Sequence, residues 1–463
     1  MSSSTASRPA AAALLRRGAL SPLFLLALQL ALRPLTASAL EARGAGVTTP
    51  VAEATLLTIP LDKQYVPVVR NNRTVAHKTA YFGRLSLGGA AANQEFTAVF
   101  DTGSGHLFLP SVGCVSETCT RHRRYDASAS PTAVDIDFEG KTLAANEMEE
   151  RDQVAISYGI GEITGEFVRE TVCLAVSADS RSCVSMRVIA ATEMTPEPFN
   201  AFDFDGVLGL GLAGLALDPE FSFLGQLSSA RNLAEDQFGY FLSRSDDVAS
   251  EISFGGVDPR RVASELHWSP VHKPELGFWQ VKVLSVTVAG EALPLCADGD
   301  CVGVADTGTS LLGVPRQASQ RLHWLLARKV NVEDTSGLDC RETAGPDLVF
   351  ELEGGVKLTL GPEDYSQAKP MQVPKVGGGS QPVCRAALLP VDEVEALGPK
   401  AWIFGEPVLR RYYTAYDWRS QRIGFAPAVQ PVAGEESAGA PQHKVYGAPN
   451  TAPSAQPTSG LVV

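Results

Sequence analysis

The chain has 463 residues, 44% of them hydrophobic, enough for real apolar cores and one to three domains. It carries a formal net charge of −13 and a pI of about 5.1, with no strongly basic stretch, which sets nucleic-acid partners aside. An acidic surface sheds net charge as pH falls and repels itself less, which suits an acidic compartment.

The N-terminus reads as an address. Arg8, Arg16 and Arg17 precede the apolar run Ala19–Leu32, and Ala37-Ser38-Ala39 follows as a small-residue cleavage site. That is a secretory signal peptide over residues 1–39. The run is short for a membrane span, an uncleaved anchor being the alternative, and no other run is long enough to cross a bilayer. The expected protein is soluble and secreted, or held in the lumen of an acidic vesicle or specialised secretory organelle. Its eight cysteines then read as disulfides. Zinc is disfavoured, because no Cys-x-x-Cys pair is present and the seven histidines do not cluster with cysteines.

Residues 40–54 read as a spacer or short prosegment. From Leu56, Leu-Leu-Thr-Ile-Pro-Leu is strand-like, and Tyr81–Gly89 is a strand ending in a turn. Asn72-Arg73-Thr74 is a glycosylation acceptor triplet. The apolar run Phe96–Phe100 ends in Asp101-Thr102-Gly103-Ser104-Gly105. Gly makes a tight turn there that holds the carboxylate at the tip of a buried strand. Ile156–Gly165 alternates and then turns on Gly159 and Gly161, as a hairpin tip does. A short helix is expected over Leu224–Ala230. After Val257-Asp258-Pro259 a second β-rich segment opens, with one helix over Pro315–Lys329 whose Leu322, Leu325 and Leu326 recur at helical spacing. In that segment Val302–Ala305 leads into Asp306-Thr307-Gly308-Thr309-Ser310, repeating the first turn 205 residues later. Phe204–Gly211 and Trp402–Glu406 follow the two turns in the same order, each placing an apolar pair before a Gly. The Pro-, Ala-, Gly- and Ser-rich tail, 429–463, lacks the apolar content to fold and is expected to be disordered.

One Asp-Thr-Gly is an ordinary strand-ending turn; two copies with apolar lead-ins are not. Val99–Ser111 and Ala305–Leu312 resemble the two active-site motifs of pepsin-family (A1) eukaryotic aspartic proteases, and the likeness runs in consistent order over roughly residues 80–428. The resemblance implies an all-β, bilobal pepsin-like fold with few short helices and a central cleft. Its N-terminal lobe would span 55–262, with the first Asp and a flap, and its C-terminal lobe 263–428, with the second Asp. It implies an aspartic endopeptidase in which Asp101 and Asp306 hold one proton and a water between them, supported by Thr102, Gly103, Ser104, Thr307, Gly308 and Thr309. Thr102 and Thr307 would cross-link the loops, while the hydroxyls of Ser104 and Thr309 can donate to the carboxylates.

Tyr158, with Gly159 and Gly161, is the expected flap, and Val99, Phe108, Phe199, Phe202, Phe204 and Val207 the expected pocket, one that favours apolar or aromatic residues at the cut bond. Spacing suggests the disulfides Cys114–Cys119, Cys173–Cys183, Cys296–Cys301 and Cys340–Cys384; the first, third and fourth match the family set, and the second would staple a hairpin. The reading calls for no metal and no cofactor, polypeptide substrates, no nucleic acid, and a monomer.

Two positions depart from pepsin. Phe108 stands where the flap tyrosine has an indole partner, and His106, whose plain reading is a surface residue, stands where Asn is usual. A shifted flap and a less acidic optimum are the expectation. These departures, the extra Cys pair and the short N-terminal region point to a divergent branch of apicomplexan type. The rival readings are a two-carboxyl glycosidase, which does not use duplicated Asp-Thr-Gly turns, and an inactive peptide-binding module on the same scaffold.

Overall fold

In the computed structural model of the chain, the described residues are 56–430 with short gaps at 71–72, 90–93, 145–150, 160, 175–182, 232, 331–334, 336 and 376–377, together with 444–447. The expected signal peptide, the whole of the expected spacer, Asn72, Ile160 and most of the tail lie outside them. The fold is all-β and bilobal, with five short α-helices among the described residues.

What positions the two aspartates is one strand arrangement built twice. Gln94–Asp101 pairs in parallel with Gly206–Gly209, which pairs antiparallel with Leu107–Pro110. Val302–Ala305 pairs in parallel with Ala401–Phe404, which pairs antiparallel with Leu312–Pro315. These strands are buried on both faces, so they read as unbroken apolar runs (Val-Phe before Asp101, Val-Gly-Val-Ala before Asp306) rather than alternating ones. The first unit sits in a 15-stranded sheet, the second in an 8-stranded one.

Each carboxylate-bearing loop crosses a glycine so closely that no side chain fits. A Cβ on Gly209 would lie 2.5 Å from the His106 nitrogen, and one on Gly405 would lie 2.4 Å from the carbonyl oxygens of Thr309 and Leu311. The contact is also bonded. Leu210 N–H donates to the Asp101 carbonyl at 2.7 Å, and Asp306 N–H donates to the Phe404 carbonyl at 3.2 Å.

The larger sheet takes strands from both expected lobes. Tyr412–Asp417, and through it Arg422–Pro427, joins Gln237–Phe241, while Leu57–Leu61 pairs with Ser250–Phe254 on its other side. The first strand then continues to Arg70 and folds back antiparallel on Arg73–Leu87, so one long hairpin precedes the first catalytic-type loop.

Four disulfides form, in the four pairs named from spacing, and Cys173–Cys183 joins directly opposed residues of the hairpin Gly161–Leu174 and Cys183–Met194. Such bridges suit an oxidising lumen or the cell exterior. The expected helices form at Phe223–Ala230, capped by the Ser222 hydroxyl on Gly225 N–H, and at Arg316–Leu325. The second is shorter than its pattern predicts, because Arg328–Lys329 leaves it to pair with Val383–Cys384.

The tail requires a correction. Gln430 is tied to Leu242, Arg244 and Arg410, and Val445–Tyr446 runs parallel to Lys63–Gln64, with Lys63 N–H donating to the Lys444 carbonyl at 2.9 Å. Tyr446 packs 5.8 Å from the Phe82 ring, so one aromatic in a polar stretch gains enough burial to seat four residues.

Candidate active site

Two threonines lock the loops together. Thr102 N–H donates to Thr307 Oγ1 and Thr307 N–H donates to Thr102 Oγ1, both at 3.0 Å. Each hydroxyl then reaches across to the other half: Thr102 Oγ1 donates to the Ala305 carbonyl at 2.8 Å and Thr307 Oγ1 to the Phe100 carbonyl at 2.6 Å. All these groups are buried, where an unpaired partner costs about 1–3 kcal/mol, so the lock is stiff.

The carboxyls above it share one small volume. A Cβ on Gly103 would lie 3.0 Å from Asp306 Oδ1 and 3.2 Å from Asp101 Oδ1; one on Gly308 would lie 2.6 Å from Asp101 Oδ1 and 3.3 Å from Asp306 Oδ1. Only glycine leaves that space open. Gly103 N–H donates to Asp101 Oδ1 at 2.9 Å and Gly308 N–H to Asp306 Oδ1 at 2.8 Å. The outer oxygens differ. Thr309 Oγ1 donates to Asp306 Oδ2 at 2.6 Å, whereas the buried Ser104 hydroxyl makes no close hydrogen bond, although it lies near enough to Asp101 to pull that carboxyl down.

Burial, and then the charge of Asp306, push the Asp101 carboxyl well above the ordinary carboxylate range. Burial does the same to Asp306, against the Thr309 hydroxyl and Gly308 N–H, which pull it down. Two such groups side by side retain a proton where isolated carboxyls have lost theirs.

The dyad opens into a cleft of about 690 Å³. Gln153–Tyr158 and Gly161–Leu174 form a hairpin over it, turning at Gly159 with φ 58°. Tyr158 and Gly159 line the cleft; Gly161 instead abuts Pro198, where a Cβ would lie 2.5 Å from Cδ. The Tyr158 ring packs 4.9 Å from Phe108, and its buried hydroxyl has no hydrogen-bond partner. The carbon-only Phe108 ring offers it none.

Val99, Phe199, Phe202, Phe204 and Val207 line the cleft, but Phe108 does not: fully buried, it backs Tyr158 and Phe199. That corrects its assignment as a pocket wall. His106 is corrected too. It is 6% exposed, packs edge-on 5.5 Å from Phe221, and its Nε2 accepts the Leu217 N–H at 2.9 Å. Burial lowers its pKa to about 4. It is a neutral strut inside the fold, not a surface residue.

Sequence reasoning missed the opposite wall, where Leu311, Leu389, Val391 and Ile403 face the cleft. Ile403 sat within the recognised Trp402–Glu406 run and Leu311 within the recognised Ala305–Leu312 motif, so both carried a signal; Leu389 and Val391 did not. It also missed Thr79 of the N-terminal hairpin, whose backbone N–H donates to Ser310 Oγ at 3.0 Å and whose carbonyl accepts from it at 2.8 Å. Among the described residues no group of three or more His, Cys, Asp or Glu could hold a metal ion, and no helix is long and apolar enough to cross a membrane.

The comparisons with known proteins meet this geometry. The family model described as "Eukaryotic aspartyl protease" matches residues 80–428. Cathepsin E of Aquarana catesbeiana is 32% identical over 358 residues, covering 75% of this chain and 79% of that protein. Pepsin A of Bos taurus is 30% identical over 354 residues, covering 75% and 84%. Renin of Rattus norvegicus is 31% identical over 366 residues, covering 78% and 82%.

Proposed function

The chain belongs to the eukaryotic aspartyl protease family, and from that premise we propose that Asp101 and Asp306 are the residues through which it cleaves peptide bonds. That it is an aspartic endopeptidase acting on polypeptides follows from the family. The assignment of roles rests on one observation, two buried carboxyls from opposite halves of the chain crowding one glycine-bounded space.

Peptide hydrolysis needs a base to activate water and an acid to protonate the carbonyl oxygen and then the leaving amine. The ionised member of the pair takes the proton of a water held between the two carboxyls. The protonated member donates to the scissile carbonyl as the water oxygen attacks. One carboxyl then gives its proton to the amine as the C–N bond breaks, and a hydroxyl of the tetrahedral diol gives its proton to the other carboxyl as the C=O bond reforms, which restores the single shared proton. Thr102 and Thr307 keep the loops in register, and Gly103 and Gly308 N–H groups orient the inner oxygens. Tyr158, on the hairpin, closes over the substrate and excludes bulk water. The aromatic wall of Phe199, Phe202 and Phe204 supports a preference for apolar or aromatic side chains at the cut bond.

The N-terminal lobe is taken as 55–262 and the C-terminal lobe as 263–428, on a monomer that enters the secretory pathway by residues 1–39 and works in an acidic lumen or outside the cell. Asp101→Asn and Asp306→Asn are each expected to lower kcat by at least about 10³-fold without changing the thermal melt by more than a few degrees. Cleavage surviving in either variant would overturn the role assignment. A statine-type transition-state analogue that fails to inhibit the wild type would count equally against it.

A further inference from the structure

The charge of the cleft runs against that of the molecule. The chain is −13 overall, yet among the described residues lining the cleft the only carboxylates are Asp101 and Asp306. Lys78 and Arg385 bring full cations to the same lining, and His77, His106 and His323 bring imidazoles.

The connections put Lys78 and Arg385 at one end. Lys78 precedes Thr79, whose backbone is bonded twice to Ser310. Ser310 lies two residues before Leu312, whose partner in the parallel pair is Leu388. Two residues before Leu388 is Ala386, and Arg385 is next. A second groove, of about 580 Å³, shares His323 and Arg385 with the cleft and so continues it. Arg316 borders that groove, and Arg321 lies over the face of the exposed Trp324, which also lines it, at 5.0 Å from the ring centroid.

The cations are not all spent on internal pairs. Arg316 is bound to Asp392, but Arg385 meets only the Met371 sulfur, at 3.4 Å, and has no carboxylate partner among the described residues. Glu197 acts electrostatically on Lys78 but does not line the cleft. A half-buried guanidinium facing a substrate channel without a counter-ion is a carboxylate receptor.

We propose that this end of the cleft selects substrates carrying an Asp or Glu side chain, seated on Arg385 with Lys78, beyond the residues that fill the apolar walls beside the dyad. The proposal rests on the protease reading above and names its substrate class. Occupancy is one-sided: the acidic residue lies on a single side of the cut bond.

The test uses matched peptides with Glu, Gln or Lys at each position outward from the cut bond. Assay at about pH 5.5–6 keeps Glu ionised. The wild type should favour Glu over Gln by about three- to tenfold in kcat/KM at one or more outer positions on one side only. That ratio should shrink as salt is raised. Arg385→Gln and Lys78→Gln should each move the ratio toward one, and Arg385→Glu should turn the preference toward Lys. The ratio is internal to each variant, so partial misfolding does not imitate the result. A Glu-to-Gln ratio of one at every position, or a ratio unmoved by all three variants, overturns the inference. If the Gln peptides are cut with Asp101 dependence but no Glu preference appears, this proposal alone falls. If no peptide is cut, or Asp101→Asn cuts equally well, the role of the dyad falls and the inference with it.

Discussion

The two Asp-Thr-Gly loops superimpose in sequence position by position, and the comparison shows how little of a site is fixed by a repeated backbone. Asp101 and Asp306, Thr102 and Thr307, Gly103 and Gly308 do the same things in each. From the next residue they part. Ser104 sits by Asp101 without a close hydrogen bond where Thr309 donates to Asp306 at 2.6 Å. Gly105 lets the chain at Leu215 press in, a Cβ there falling 2.4 Å from that carbonyl carbon, where Ser310 ties down Thr79. His106 and Leu311 both reach the cleft lining, but only His106 is also a strut, accepting the Leu217 N–H. The shared part sets the carboxyls' positions; the differing part sets their protonation and surroundings.

The largest asymmetry to probe is the glycine pair. Gly308→Ala drives a methyl to 2.6 Å from Asp101 Oδ1, while Gly103→Ala meets Asp306 Oδ1 at 3.0 Å. Displacing a reacting group by an ångström costs about 10²-fold, so Gly308→Ala should lose about that in kcat and Gly103→Ala clearly less. Equal losses would mean that the pair is more symmetric than its contacts imply.

His106 comes next. Its folded pKa, about 4, lies below its unfolded value near 6.5, so its contribution is full above pH 6.5 and is lost as pH falls through 4. At pH 5 the loss should be roughly 2 kcal/mol. His106→Asn, which keeps an acceptor for Leu217 N–H, should flatten the acid side of a stability–pH curve measured by denaturant unfolding. A curve that steepens or stays put would remove His106 from the account. The dyad acts in the opposite sense. Its raised pKa values contribute stability at low pH that fades as pH rises through them, so an Asp101→Asn variant should gain stability relative to wild type toward neutral pH.

Thr309→Ala removes a donor that pulls Asp306 down. It should cost about tenfold in kcat/KM and move the basic limb of the pH–rate profile upward, whereas Ser104→Ala, which removes a looser contact to Asp101, should do the same to a smaller degree. Smallest is Phe108→Trp, which offers the Tyr158 hydroxyl an N–H. A change of about two- to threefold in kcat/KM with an altered pH profile is expected, and overlaying profiles would show that the flap does not use the partner.

Much of this was legible from local sequence. An apolar run ending in Asp-Thr-Gly states its own strand and turn, and the order of the glycine-bearing strands after each copy exposes the duplication. What stayed hidden depends on distant pairings. Nothing near His106 announces that Leu217 will need an acceptor. That Tyr158 packs on Phe108 was foreseeable from the family resemblance and not from the residues around Phe108. Arg385 is an unremarked cation until Leu312 meets Leu388, and helical spacing up to Lys329 could not anticipate that Arg328 would be drawn into a strand with Cys384. Tyr446 gains its place only because Lys63–Gln64, nearly four hundred residues earlier in the chain, leaves an edge open.

The crossed threonine bonds carry a consequence for any attempt to divide the molecule. Each hydroxyl terminates on a backbone oxygen of the opposite half, so a half made alone would present a loop with an orphaned donor and one solitary acid. Activity should therefore return only when separately produced halves recombine, scaling with the product of their concentrations rather than with either one.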